Sequence, residues 1–224
     1  MFWSEDKDEK GNFVVPDNVI DVVYRISCKC LPTEHIYHLS EALQTALPWL
    51  ADEKHTAVHP ITGPEEGNGW ERCKDDLMYL SRRQKMMIRI PKERLPDAEK
   101  LVGETISVAG HELEVGKFTT KLLSDLPTVH ARHVICDAGM SEEDFMHDAL
   151  AQLKELDVKV RKMMAGKERE IKTPDQTIMT RSLMLAELEP EESVRLQENG
   201  IGEGRMLGCG LFLPQKGIAA VDPG

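Results

Sequence analysis

The chain has 224 residues, of which 41% are hydrophobic and 30% charged, and its formal net charge is −11. That length covers one large domain or two small ones, with enough apolar residues for a buried core. No apolar run approaches the ~20 residues of a membrane span. The five cysteines, an odd number without CxxC or paired Cys/His spacing, point to reduced thiols in a cytoplasmic protein and to no structural zinc.

Residues 1–18 are acidic and polar at their start and read as an extended or disordered segment. Residues 20–28 (IDVVYRISC) are β-branched and aromatic, which predicts a strand. Pro32-Thr33 then opens a helix through about Trp49, with Leu39, Leu43 and Leu47 on one face. A short apolar segment, 56–61, leads into the charged, glycine-rich loop 63–76. Residues 77–90 predict a longer strand ended by Pro91, 95–102 a short helix, and 105–115 a hairpin turning at Ala109-Gly110.

The second half repeats this order. Residues 129–136 predict a strand, and Ser141 caps a helix through Leu156 with Glu142, Glu143 and Asp144 in its first turn. Strands 158–164 and 178–188 flank a charged loop, a helix runs from Pro190 to Gly200, and 205–213 predict a closing strand. The reading is α+β: two tandem ferredoxin-like (βαββαβ, RRM-like) domains, 19–125 and 129–220, joined near 125–128.

The negative total hides two basic stretches. Arg82, Arg83, Lys85, Arg89, Lys92 and Arg94 stand against Glu93 alone, and residues 159–172 hold six cations against Glu168 and Glu170. Acids collect instead in 141–157 and 187–203, as solvated helix faces. Such basic stretches are either ordinary surface or phosphate contacts. In 82–90, Arg83, Lys85, Met87 and Arg89 share one strand parity, while Met86, Ile88 and Ile90 share the other with Arg82. That fits a sheet packed on one side and open on the other. With three Tyr, three Trp and five Phe, an aromatic base-stacking platform is not evident.

The sharpest local signal is GIGEGRMLGCGLFLPQKGI, residues 200–218. Gly200, Gly202, Gly204, Gly208 and Gly210 crowd a helix-to-strand junction, with Arg205 and Lys216 as cationic donors. Glycines there either turn the chain or let successive amides hold an anion. Dinucleotide and P-loop sites need the order strand, loop, helix, so no nucleotide cofactor is expected.

This loop, G-x-G-x-G-R-x-x-G-x-G-x-x-x-P after a helix, resembles the hallmark of the CRISPR repeat-processing endoribonucleases, the Cas-six superfamily, and looks closest to its myxobacterial-type branch. LPTEHIYHL, VHPITG, SRRQKMMIRIP, VHARHVI and the long segment from SLMLAELEP to GLFLP carry the rest of the likeness, from about residue 19 to 220. The resemblance implies cleavage of a CRISPR transcript within each repeat without a metal or other cofactor. The ribose 2′-hydroxyl attacks the adjacent phosphorus, leaving a 2′,3′-cyclic phosphate and a 5′-hydroxyl. It also implies retention of the 3′ hairpin of the processed RNA, and partner Cas subunits in a type I effector complex. The alternative is a non-cleaving RNA-holding subunit of such a complex.

The family often places a catalytic His with a Tyr around the first helix, which makes His35 and Tyr37 candidates, with His59 and His38 as further ones. Histidine titrates near about 6.5 and can serve as acid or base. His111, His130, His133 and His147 read as structural. For the RNA grip, the resemblance directs attention to Arg82, Arg83, Lys85 and Arg89, to Arg161 and Lys162 in the basic hairpin, and to Gly200, Gly202, Gly204, Arg205, Gly208, Gly210 and Lys216.

Overall fold

The computed structural model describes residues 13–62 and 76–215. The first half runs β1 (Val19–Ser27), β2 (Cys30–Pro32), α1 (Ile36–Ala46), β3 (Ala57–Val58), β4 (Leu77–Tyr79), β5 (Lys85–Pro91), α2 (Leu95–Ala98), β6 (Thr105–Val108) and β7 (His111–Leu122). The second runs β8 (Val129–Ile135), α3 (Glu142–Glu155), β9 (Lys162–Lys172), β10 (Thr177–Ala186), α4 (Pro190–Asn199) and β11 (Phe212–Pro214).

Each half builds one antiparallel sheet. The first has the order β3-β5-β1-β7-β6, the second β11-β8-β10-β9, and β2 and β4 form a separate small ladder. The period-two pattern of β1 and β5 decides which face is packed. Val22, Tyr24, Met86, Ile88 and Ile90 turn inward and are fully buried with Leu39 and Leu43 of α1. In the second half Ala131, Leu183 and Leu185 close over Phe145 and Leu153 of α3 and Leu196 of α4. The result is a mixed α/β protein in which few helices cover one face of each sheet.

Most helix and turn signals hold. Ser141 accepts from the Asp144 amide at 3.1 Å, Pro190 occupies the first turn of α4, and Gly200 ends it with φ 65°. Ala109 and Gly110 both take positive φ in the β6–β7 turn, as a two-residue hairpin requires. Four expectations shift. The strand foreseen over 158–164 is β9, which starts at Lys162 and runs through most of the charged segment foreseen as a loop, to Lys172. The strand foreseen over 77–90 is two, because a turn at Ser81–Gln84 separates β4, paired with β2, from β5, paired with β1. The helix foreseen over 95–102 is four α-helical residues between 3-10 turns. The closing strand shrinks to Phe212–Pro214, since Gly204, Gly208 and Gly210 all sit at positive φ and coil the chain before it.

Candidate functional site: a cleft between two sheets

The unpacked face of the first sheet carries Asp21, Val23 and Arg25 of β1 opposite Arg89, Met87 and Lys85 of β5. The second half covers one end of this face and leaves the other open. At the covered end Arg89 is fully buried: its guanidinium grips Asp21 through two bonds of 2.7 and 3.1 Å and donates to the main-chain oxygens of Gln197 (2.6 Å) and Phe212 (3.3 Å). Arg89 is therefore no phosphate ligand. It ties the first sheet to α4 and β11.

His59 is sealed into the same spot, its Nε2 3.5 Å from Asp21 Oδ1. Burial lowers its pKa and so disfavours the imidazolium, against the pull of Asp21. Burial also works to raise the Asp21 carboxyl. His59 and Arg89 more than offset it, leaving Asp21 well below the usual carboxylate range. Arg205 completes the cluster. Its guanidinium donates to the carbonyls of Thr56 (2.9 Å) and Glu198 (3.0 Å), and burial together with nearby Arg89 pushes its pKa down to about 10. This arginine joins the glycine loop to the first half, and its Nη1 is buried without a hydrogen-bond partner among the described residues.

The glycine loop is used in the same way. The amides of Ile201 and Gly210 donate to the carbonyls of Gly210 and His133, and that of Gly202 to Gln152 Oε1. A Cβ on Gly210 would collide with the Ile201 carbonyl, and one on Gly208 would stand 2.9 Å from Pro60 Cδ. Gly200 likewise has no room, against Gly210 and Arg205. The amides of Gly200, Gly208 and Gly210 are all bonded to main-chain carbonyls, and the missing side chains let the loop coil on itself at Gly200 and Gly210 and dock on Pro60 at Gly208. Gly202 is exposed and Gly204 half-buried. Lys216 lies outside the described residues.

At the open end the picture changes. Arg82, Arg83 and Lys85 are exposed. Arg83 and Lys85 line a cavity of about 400 Å³ whose opposite wall is His130 and Arg132 of β8, over an apolar floor that includes Val23, Met87 and Leu211. Burial, then the charges of Arg169 and Arg132, lower the pKa of His130. A neighbouring cavity brings Arg132, His133, Arg169 and Lys172 towards Glu34 and His35 at the start of α1. A cation-lined cleft between the halves is a phosphate-attracting feature in a chain whose net charge is −11.

Of the four proton-carrier candidates, His35 precedes α1 and is buried. One ring nitrogen lies 3.0 Å from the Pro32 carbonyl, and Nε2 accepts the Ile61 amide at 3.0 Å. His59 is sealed as described. Tyr37 is half-buried and His38 exposed on α1, their rings edge to face at 5.4 Å. In the basic hairpin Arg161 is exposed and pairs with Glu192 at 2.6 Å at the start of α4. Lys162 pairs with Glu187 at 2.6 Å while staying exposed. Among the described residues no three His, Cys, Asp or Glu side chains converge on a metal position, and no helix is long and apolar enough to cross a membrane.

Sequence reading passed over His130 and Arg132. Their signal was present in VHARHVI, where both alternate with the inward Val129 and Ala131.

A two-sheet α/β protein with a basic cleft and a docked C-terminal glycine loop is the class these features define. The family model described as Cas6 Crispr matches residues 20–217, and the chain belongs to the Cas6 family. It is 30% identical over 212 residues to the CRISPR-associated endonuclease Cas6 of Myxococcus xanthus (strain DK1622), across 95% of this chain and 87% of that protein. A solved structure of a CRISPR associated protein Cas6 superposes with a TM-score of 0.61 at 11% identity, over 88% of this chain and all of that one. A Cas6-related protein from Pyrococcus furiosus gives 0.55 at 11% identity, over 87% and 97%. At that identity these two likenesses are of fold.

Proposed function

We propose that this chain is a CRISPR repeat-RNA endoribonuclease built from two ferredoxin-like units, 19–125 and 129–220. The strand orders β3-β5-β1-β7 and β9-β10-β8-β11 support the unit assignment, since both place the first strand between the third and the last. The observation that carries the function is the cleft lined by Arg83, in the turn before β5, and Lys85 of β5 together with His130 and Arg132 of β8. Cations on both walls suit a polyanion that lies between the halves.

The cut proceeds without a metal. A base removes the proton of the ribose 2′-hydroxyl, O2′ attacks phosphorus, and an acid returns a proton to the departing O5′. The products are a 2′,3′-cyclic phosphate and a 5′-hydroxyl. Of the candidates, His38 is exposed on α1 with Tyr37 half-buried beside it, and these two take the proton-transfer roles. His35, whose ring bridges Pro32 and Ile61, and His59 position the elements around them. The hairpin product stays bound, in the cytoplasm, as part of a type I complex with other Cas subunits.

The sealing of His35 and His59 favours one second reading, an RNA-holding subunit that does not cut. Incubation of the protein with labelled repeat RNA in EDTA, beside RNA carrying one 2′-deoxy at the cut, separates the two. One product from the RNA and none from the deoxy version is expected. Tight binding without a cut in either gives the second reading, and cleavage that stops in EDTA removes the metal-free mechanism.

A further inference from the structure

Three side chains beyond the end of β1 have no part in the RNA reading. Cys28 and Cys30 flank Lys29, where the chain bends from β1 into β2. The β2–β4 ladder fixes Cys30, which pairs with Tyr79, while its neighbour Leu31 is fully buried. The tight turn at Ala109-Gly110 starts β7 at His111. His111 Nδ1 comes to 3.6 Å from the Cys30 sulfur, and the Cys28 thiol donates to the Cys30 carbonyl at 3.2 Å.

A thiol reacts as its thiolate, and an imidazole beside it can take the proton. A nearby cation favours the same state, and Lys29 stands exposed between the two cysteines. Cys30 and His111 are half-buried, so a small oxidant reaches the sulfur. The other described cysteines are built differently. Cys209 is fully buried with its thiol pushed up to about 12, and burial also raises the pKa of Cys136 and of Cys28. One thiol with a base beside it and a second thiol one residue away fit the roles of attacking and resolving cysteine.

We propose that Cys30 is a peroxide-reactive thiol, with His111 as its base and Cys28 as its resolving partner. His111 takes the thiol proton, the Cys30 sulfur attacks a peroxide oxygen, and the O–O bond breaks as the S–O bond forms. The sulfur is oxidised, the peroxide is reduced, and the departing hydroxide recovers the proton from the imidazolium and leaves as water. The Cys28 sulfur then attacks the sulfenic acid of Cys30. The S–S bond forms, the S–O bond breaks, and water leaves with the Cys28 proton. A dithiol reverses the disulfide by exchange, so in a reducing compartment the bond is transient. β2 runs into Pro32, whose carbonyl lies 3.0 Å from the His35 ring, and the disulfide therefore forms at the root of α1.

The test treats the reduced, whole protein with an equimolar amount of hydrogen peroxide and maps its cysteines by mass spectrometry. A disulfide joining Cys28 to Cys30, lost on adding dithiothreitol, is expected. In Cys28→Ser, dimedone should trap the sulfenic acid at Cys30. His111→Gln should slow alkylation of Cys30 by iodoacetamide near pH 7 about 10-fold or more. At about pH 10, above the ordinary thiol pKa of about 8.5, native protein and variant should react alike, because the thiol ionises without help. A rate difference that persists there makes His111 a structural residue and overturns its role as base. Oxidation that falls first on Cys73, Cys136 or Cys209 overturns the proposal. So does a Cys28→Ser protein that forms no adduct at Cys30, or a His111→Gln protein alkylated at the native rate near pH 7.

Discussion

Lys85 and Arg89 lie on one strand, on one face, four residues apart, and meet opposite fates. Lys85 is exposed at the mouth of the cleft, and Arg89 is buried between Asp21 and the carbonyls of Gln197 and Phe212. The same residue chemistry therefore clamps two halves at one end of a sheet and awaits a polyanion at the other. What decides is coverage: α4 and β11 close over Arg89 and stop short of Lys85. A buried cation with a full set of acceptors is structure, while an exposed one without them is available for binding.

The largest effect is expected from breaking the clamp. Arg89→Ala leaves the Asp21 carboxylate buried with only His59 beside it, and the loss of stability should be about 3–5 kcal/mol, read from the urea midpoint. The double change Asp21→Leu/Arg89→Met should recover much of that loss. A small effect of Arg89→Ala alone would mean that the covered end is wet.

Next comes the glycine loop. Gly210→Ala forces a Cβ onto the Ile201 carbonyl at a positive φ, so thermal stability should drop by roughly 2 kcal/mol or more. Gly202 is exposed, with no near neighbour for a Cβ beyond Gln152. Gly202→Ala should therefore carry only the cost of its positive φ, about 1 kcal/mol. Equal losses at the two positions would undo the docking role of the loop.

A third test concerns proton transfer on α1. His38→Ala should lower the single-turnover cleavage rate at least 100-fold with RNA affinity retained. His35→Gln should lower stability first, by removing the bridge from Pro32 to Ile61. A His38→Ala protein that cuts normally moves the base elsewhere.

The smallest expected effect is a pH limb. The folded pKa of His59 is depressed by burial, so the unfolded chain binds a proton more readily below about pH 6.5. Its contribution is complete above that pH and is lost as pH falls towards the folded value, at no more than ~1.4 kcal/mol per pH unit. Asp21, also depressed, adds its loss only below about pH 4. Urea midpoints between pH 5 and 8 should fall on the acid side in the native protein and stay flatter in His59→Gln.

The elements were legible because local signals were strong. The buried faces of β1 and β5, the Ser141 cap, the Pro190 start and the Ala109-Gly110 turn each follow from a few neighbouring residues. Pairing partners were less legible. Nothing local says that 77–79 joins β2 rather than continuing into β5, or that the glycines coil the chain onto Pro60. The site suffered most from this. Arg89 and Lys85 are indistinguishable by parity, and only the placement of the second half separates them. His130 alternates with inward residues in plain view, yet its value comes from facing Arg83 and Lys85 across the cleft, a long-range fact.

The most direct test of the division between clamp and grip is the salt dependence of RNA binding in native protein and in Arg83→Ala/Lys85→Ala/Arg132→Ala. The slope of log affinity against log salt should fall by about 0.7 for each phosphate of single-stranded RNA that the variant no longer neutralises, roughly 2 in all. An unchanged slope would place the RNA outside the cleft and contradict that division.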